Sequence, residues 1–280
     1  MTELITDLSA LRERVRGWKR DGLRVGLVPT MGNLHAGHFS LVKLARQHAD
    51  RVVASVFVNP TQFGPSEDYA QYPRTPEADR DGLAAAGCDA LWMPSVEAMY
   101  PFGLDKAMRM HLPGVSEVLE GERRPGHFDG VCTVVSRLFN QVQPDVAAFG
   151  KKDYQQLAVI RQMVAELAFP IDVHGGEIVR EADGLAMSSR NQYLSPEERR
   201  AAPALRRTLL ALRDACVAGM PHARAEAEAG QRLEAAGFAV DYVLVRRADL
   251  GALASGETGP RVVLAAARIG RTRLIDNLEF

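Results

Sequence analysis

The sequence predicts an α/β protein, a doubly wound parallel sheet followed by a smaller C-terminal α+β domain. Three observations predict it. Through residue 176, short apolar runs of strand length alternate with segments whose apolar residues recur at helical spacing, the pattern of a parallel sheet with crossover helices. From residue 177 the order changes: Ala- and Arg-rich helical stretches come first and β-branched runs last, which suits helices packed on antiparallel strands. A chain of 280 residues, 46% hydrophobic and 25% charged, has the length and composition for two such domains. Its net charge of −1 gives no general attraction to nucleic acid or to an anionic membrane.

The elements follow in order. Thr6 or Asp7 can cap a helix running through Trp18. Residues 25–28 read as a buried strand and residues 39–49 as a helix. A strand at 52–58 ends in Asn59-Pro60. Residues 76–86 read as a helix, with Pro76 near its first position and Gly87 just past its end. A strand at 89–93 precedes a Pro- and Gly-rich stretch. Then come a helix at 130–142, a strand at 146–149, a helix at 154–167 and a strand at 171–173. The domain boundary falls near Gly175-Gly176. Beyond it, residues 196–218 and 223–236 read as helices and 239–245, 261–267 and 272–278 as strands, the last two flanking a hairpin turn at Ile269-Gly270-Arg271. The interrupted Arg-rich face of 197–213 reads as solvated. The N-terminal residues lack a signal-peptide pattern, and no apolar run reaches transmembrane length. Cys88, Cys132 and Cys216 fit no zinc spacing and no disulfide framework; they read as small buried residues in a reducing, cytoplasmic setting. The polar stretch 64–74 reads as a mobile loop able to close over a site.

Chemistry concentrates where strands end and helices begin, the place where ligands bind on such sheets. The run Pro29-Thr30-Met31-Gly32-Asn33-Leu34-His35-Ala36-Gly37-His38 puts two imidazoles three apart at a helix start. A helix N-terminus offers unpaired N–H groups to an anion, and glycine lets a phosphate or base come close. A metal pair or two solvated side chains are the other readings, and Asn33, Ala36 and Ser40 supply no third metal ligand. Asn59-Pro60-Thr61-Gln62-Phe63-Gly64 either presents amides to a carboxylate or hydroxyl or is a decorated turn. Gly150-Lys151-Lys152-Asp153 places lysine at a strand–helix junction suited to phosphate. Asp153 can cap the following helix, with Gln156 on the same face. Met187-Ser188-Ser189-Arg190 offers two hydroxyls and a guanidinium to a triphosphate, or forms a Ser-rich turn. His127 either positions substrate or caps a turn.

Together these segments resemble the pantoate–β-alanine ligase family of the HxGH nucleotidylyltransferase superfamily. The matching runs are Pro29-Thr30-Met31-Gly32 with His35-Ala36-Gly37-His38, Phe57 to Phe63, Arg124-Pro125-Gly126-His127-Phe128, Phe149-Gly150 with Lys152-Asp153 and Gln155-Gln156, and Val179 to Asn191. They extend from about Thr6 to the end of the chain, most strongly to about Pro196. The first run is shared with many adenylyl-transferring proteins, and the whole series belongs to this family. Lys151 and Glu177 depart from it: an acidic or amide residue is common at the first position and proline at the second.

The resemblance implies a Rossmann-like domain over 1–176 that binds ATP and pantoate, and a 177–280 domain that closes over the active site. It implies ATP-dependent condensation of (R)-pantoate with β-alanine through a pantoyl adenylate, releasing AMP and pyrophosphate. Met31, Gly32, Asn33, Leu34, His35, Ala36, Gly37 and His38 are expected to hold ATP. Gly150, Lys151, Lys152, Asp153, Val179, Met187, Ser188, Ser189 and Arg190 complete that site. His38, with His35, Lys152 and Arg190, is expected to act on the reaction, His38 as the acid. Gln62 is expected to bind pantoate and later β-alanine, and Gln156 pantoate. Mg²⁺ is expected on the ATP phosphates, with no protein cage for it. A homodimer with no nucleic-acid or membrane partner is implied. Another HxGH-type adenylyltransferase, acting on a different small acid or nucleotide, is the alternative.

Overall fold

The computed structural model describes residues 2–64, 69–70, 72–254 and 257–280. Of the loop expected at 64–74, positions 65–68 and 71 lie outside the described residues. The chain divides into two compact units, Met1–Lys151 with Gln155–Glu177, and Lys152–Tyr154 with Ile178–Phe280.

The first unit contains β1 (Glu3–Ile5), α1 (Leu8–Arg20), β2 (Val25–Thr30), α2 (Ala36–Arg46), β3 (Arg51–Val56), α3 (Pro76–Ala85) and β4 (Ala90–Trp92). It continues through the short α4 (Val96–Met99) and α5 (Glu120–Arg123) to α6 (His127–Val142), β5 (Val146–Gly150), α7 (Tyr154–Glu166) and β6 (Asp172–Gly176). Its six strands form a parallel sheet in the order β1-β4-β3-β2-β5-β6. Successive strand side chains point to opposite faces, and both faces are buried. Val25, Leu27, Val53, Trp92, Ala147 and Phe149 pack on one face with residues of α1, α6 and α7. Val28, Val52, Ala54, Leu91 and Ala148 pack on the other with residues of α2 and α3. Strands buried on both sides read as continuous apolar runs, which is why they are visible in the sequence. The two edge strands are the exceptions: β1, three residues long, exposes two of them, and β6 (Asp172–Gly176) fully buries only Gly176.

Strand order reverses at β2, which pairs with β3 on one side and β5 on the other. The carboxyl ends of β3, β2 and β5 therefore lie side by side, the usual place for a ligand on an open α/β sheet. From them emerge the segments beginning at Asn59, Met31 and Gly150.

The second unit has α8 (Pro196–Ala201), α9 (Ala204–Val217) and α10 (His222–Ala235), with β7 (Ala239–Arg247), β8 (Arg261–Ile269) and β9 (Thr272–Glu279) in one antiparallel sheet. Residues of α9 and α10 form its core with alternate residues of the strands. The helix expected over 196–218 is two helices. Pro203 has no N–H to continue the ladder, so α8 ends at Ala201 and α9 starts after Pro203. The hairpin is as expected, with Ile269 paired to Thr272 across Gly270-Arg271.

Candidate active site

The helix after β2 starts three residues earlier than apolar spacing suggests, at Ala36, because His35 caps it. The His35 Nδ1 accepts from the Gly37 N–H at 3.1 Å, and the His38 Nδ1 accepts from the His35 N–H at 3.2 Å. A backbone N–H can only donate, so both Nδ1 atoms carry lone pairs and each neutral ring keeps its hydrogen on Nε2. The two rings stand 4.2 Å apart, tilted by 50°. The helix start thus uses its own Gly37 N–H internally rather than offering it to an anion. Nε2 lies on the ring edge opposite these backbone contacts.

The loop before the helix is held from α3. Asp79, 2% exposed, accepts from the Asn33 N–H (2.9 Å), the Leu34 N–H (2.8 Å) and the Thr75 hydroxyl (2.9 Å). Gly32 and Asn33 both take the left-handed conformation, φ +86° and +52°. A Cβ on Gly32 would also lie 3.2 Å from the Asp79 carboxylate, so the turn needs glycine there. Nothing in the sequence near Asp79 points to a loop 45 residues away.

The Asn59–Gln62 turn is a pinned structure. Asn59, fully buried, uses Oδ1 to accept from the Thr61 N–H (3.3 Å), the Thr61 hydroxyl (3.1 Å) and the Tyr100 phenol (2.6 Å). Burial pushes the Tyr100 phenol above its ordinary value, so it remains a donor. Because Oδ1 is fixed by a backbone N–H, the Asn59 Nδ2 faces the other way, donating to Gln62 Oε1 (3.1 Å) and to the Gly130 carbonyl (3.2 Å). The orientation of Gln62 follows: its amide oxygen is taken and its NH₂ is the end available to a substrate. The first residue of α6, His127, donates from Nδ1 to the Gln62 carbonyl (3.0 Å) and accepts at Nε2 from Arg124 (3.1 Å), the tautomer opposite to that of His35 and His38. Gly130 lets α6 approach this turn, since a Cβ there would lie 2.4 Å from the Thr61 carbonyl oxygen. His127 therefore holds the backbone of Gln62.

After Gly150 a short 3-10 turn, Lys151–Asp153, leads into α7. The Gln155-Gln156 pair divides its work. Gln155, 3% exposed, accepts from the Glu120 N–H and donates to the carbonyls of Val115 and Val118. Gln156 is half-buried and makes no such bonds among the described residues. Lys151 and Glu177 form an ion pair with each other, Nζ to Oε1 at 2.6 Å.

In the second unit, residues 179–187 form a hairpin: the Met187 N–H donates to the Val179 carbonyl (3.0 Å), and Arg180 bridges Ala186. From its end project Ser188, Ser189 and Arg190, all half-buried, with Ser188 capping a 3-10 turn, Ser189–Tyr193. Asn191 ties that turn to the Ala186 carbonyl at 3.1 Å. Lys152 and Asp153 belong to this same unit, their side-chain charges 4.0 Å apart. No thiol competes for a chemical role. All three cysteines are buried, and burial pushes the Cys88 and Cys132 thiols up to about 12.

Comparison with known proteins fits this geometry. The family model described as pantoate-beta-alanine ligase matches residues 3–279. The pantothenate synthetase of Xanthomonas euvesicatoria pv. vesicatoria is 71% identical over 280 residues, all of both chains. The crystal structure of pantothenate synthetase from Thermus thermophilus superposes with a TM-score of 0.90 at 47% identity, covering 99% of each chain. That of pantoate-beta-alanine ligase from Francisella tularensis, complexed with beta-gamma ATP and beta-alanine, gives 0.83 at 30% identity, covering 99% of this chain and 97% of its own. The chain belongs to the pantoate–β-alanine ligase family and is an enzyme of that ligase class.

Proposed function

We propose that the chain joins pantoate to β-alanine in two steps. The pantoate carboxylate attacks the α-phosphorus of ATP in line; the bond to the bridging oxygen breaks and pyrophosphate leaves. The β-alanine amine then attacks the acyl carbon of the pantoyl adenylate, and AMP leaves with the electron pair of the broken C–O bond. Such transfers depend on positioning and charge stabilisation more than on covalent help from the protein.

The observation that carries this reading is the His35–His38 pair, with Nδ1 tied to backbone and the hydrogen kept on Nε2, at the end of β2 beside the end of β5. Two fixed donors at that point suit the oxygens of a nucleoside triphosphate. In this reading Met31 to His38, Gly150, Lys151, Asp153 and Val179 line the ATP site. Lys152, Met187, Ser188, Ser189 and Arg190 stabilise charge moving onto pyrophosphate, and His38 donates to the reacting phosphate. Gln62, with its NH₂ end available, takes the pantoate carboxylate and later β-alanine, and Gln156 takes pantoate. Residues 1–176 would supply most of the ATP and pantoate contacts, and residues 177–280 the Ser-Ser-Arg segment that closes on the phosphates.

Mg²⁺ fits the donor set as a passenger of ATP. Among the described residues no three His, Cys, Asp or Glu side chains converge. An ion that keeps several waters and bridges phosphates needs no such cage, and it would offset charge on the triphosphate. We read the active form as a homodimer, which the exposed apolar side chains of Phe102 (81%) and Met108 (76%) support. A cytoplasmic setting is supported by three cysteines left unpaired. The test is labelled pyrophosphate exchange. With pantoate and no β-alanine, label should enter ATP; adding β-alanine should release AMP. Accumulation of ADP without exchange rejects the adenylate.

A further inference from the structure

The last strand of the second unit is gripped on both faces by the segments that carry its phosphate candidates. Along β9, Thr272, Leu274 and Asp276 fall on one face, and Asn277, by strand alternation, on the other. Both Asp276 (3%) and Asn277 (4%) are buried. Asp276 takes Arg180 in a two-pronged ion pair, Oδ2 to Nη1 at 2.8 Å and Oδ1 to Nη2 at 2.9 Å. Arg180 also donates to the Gly184 carbonyl at 3.0 Å, so the pair fixes the hairpin whose end is Met187. Asn277 donates from Nδ2 to the Lys152 carbonyl at 2.9 Å, and its own N–H donates to Asp276 Oδ1 at 2.8 Å. Lys152 and Arg180 lie 125 and 96 positions from these partners, so chain connectivity alone fixes neither.

We propose that the Asp276-Asn277 step is a positioning device for the phosphate ligands: Asp276 sets Met187–Arg190 through Arg180, and Asn277 sets Lys152 through its carbonyl. It rests on the reading of Lys152 and Ser188–Arg190 as phosphate ligands. The physical content is registration. A two-pronged charged pair fixes angle as well as distance. A hydrogen bond to a carbonyl in a 3-10 turn fixes the peptide plane, and with it the direction in which that residue's side chain leaves. Because adjacent residues of one strand hold the two segments, their spacing cannot drift independently.

The test uses the full chain, with Asn277→Ala and Asn277→Asp set against Lys152→Ala and each double variant. Melting midpoint, pyrophosphate exchange and inhibition by added pyrophosphate are measured. Asn277→Ala should raise the KM for ATP and the inhibition constant of pyrophosphate together, each by roughly tenfold, as expected for a slightly misplaced ligand. The KM for pantoate should stay within about twofold, because Gln62 and Gln156 are held elsewhere. Asn277→Asp keeps the shape but sets an acceptor against the Lys152 carbonyl, and should do at least as much. Combined with Lys152→Ala, either change should add nothing further, since it acts through that residue. Asp276→Asn is read the same way against Ser188→Ala with Ser189→Ala. Arg180→Lys, which keeps charge and loses the fork, replaces it should it not fold. A lowered melting midpoint with no selective loss of ATP and pyrophosphate, or a full additive loss in the double variant, overturns the proposal. If Lys152→Ala spares both phosphate compounds, the phosphate reading fails and the proposal falls with it. If Lys152→Ala weakens both and Asn277→Ala does not, the positioning role alone is overturned.

Discussion

The His35–His38 helix start and the Ser188–Arg190 turn are both proposed phosphate ligands, yet they are held in different ways. The helix start of the first is capped locally, by hydrogen bonds between residues two or three apart, although Asp79 holds the loop that leads into it. The second takes its position from a hairpin anchored 96 residues away at Asp276. The contrast separates two kinds of preorganisation. A self-capped segment is set as soon as its helix forms, whereas a segment anchored from a distant strand is set only when the whole unit folds.

The comparison can be broken at several points. The largest effect is expected from His38→Ala, which removes both the proposed donor to phosphate and the acceptor for the His35 N–H. Pyrophosphate exchange should fall by about 10²-fold or more, the scale for one preorganised donor. A change of only a few-fold would show that the helix start is scaffold and not chemistry. Next comes Asp79→Ala. It leaves the Asn33 and Leu34 N–H groups without their acceptor inside the protein, costing about 1–3 kcal/mol in urea unfolding and raising the KM for ATP. Unchanged stability would mean that the loop before the helix holds itself unaided.

Two smaller effects sharpen the division between ligand and support. Gln156→Ala should weaken pantoate binding by about tenfold in calorimetric titration, leaving ATP binding and melting intact, because the side chain makes no hydrogen bond among the described residues. Gln155→Ala should do the reverse. Loss of stability in the first variant, or of pantoate affinity in the second, reverses the two assignments. The smallest effect belongs to Glu177→Gln. Its ion pair with Lys151 is exposed on the Glu177 side, so stability should change by less than about 1 kcal/mol, with little change in turnover. A tenfold loss of exchange would show that Lys151 depends on that pair to serve ATP.

Legibility in the sequence follows the same contrast. The sheet is readable because strands buried on both faces are continuous apolar runs. The helix cap at Asp7, the start at Pro76 and the hairpin at Gly270 are readable because each is a local event. The break at Pro203 is hidden from apolar spacing, which continues across it, although proline alone marks a stop. In the site, His35, His38, Gln62 and Lys152 stand out by chemistry and place. Asp79, Asp276 and Asn277 do not, since a buried polar residue on a helix or strand looks ordinary until its distant partner is known. Arg124 and His127 sit between: their motif is visible, but their object, the Gln62 carbonyl, is not.

The tautomer of His38 has a consequence for what can replace it. One edge of the ring serves architecture and the other is the edge proposed to serve chemistry, and turning the ring over would break the bond from the His35 N–H. Asparagine can place an oxygen near the Nδ1 position and keep the cap, but it has no second nitrogen to reach outward. Glutamine reaches outward with a donor but abandons the cap. Each amide inherits half of the residue. No single amide keeps both halves.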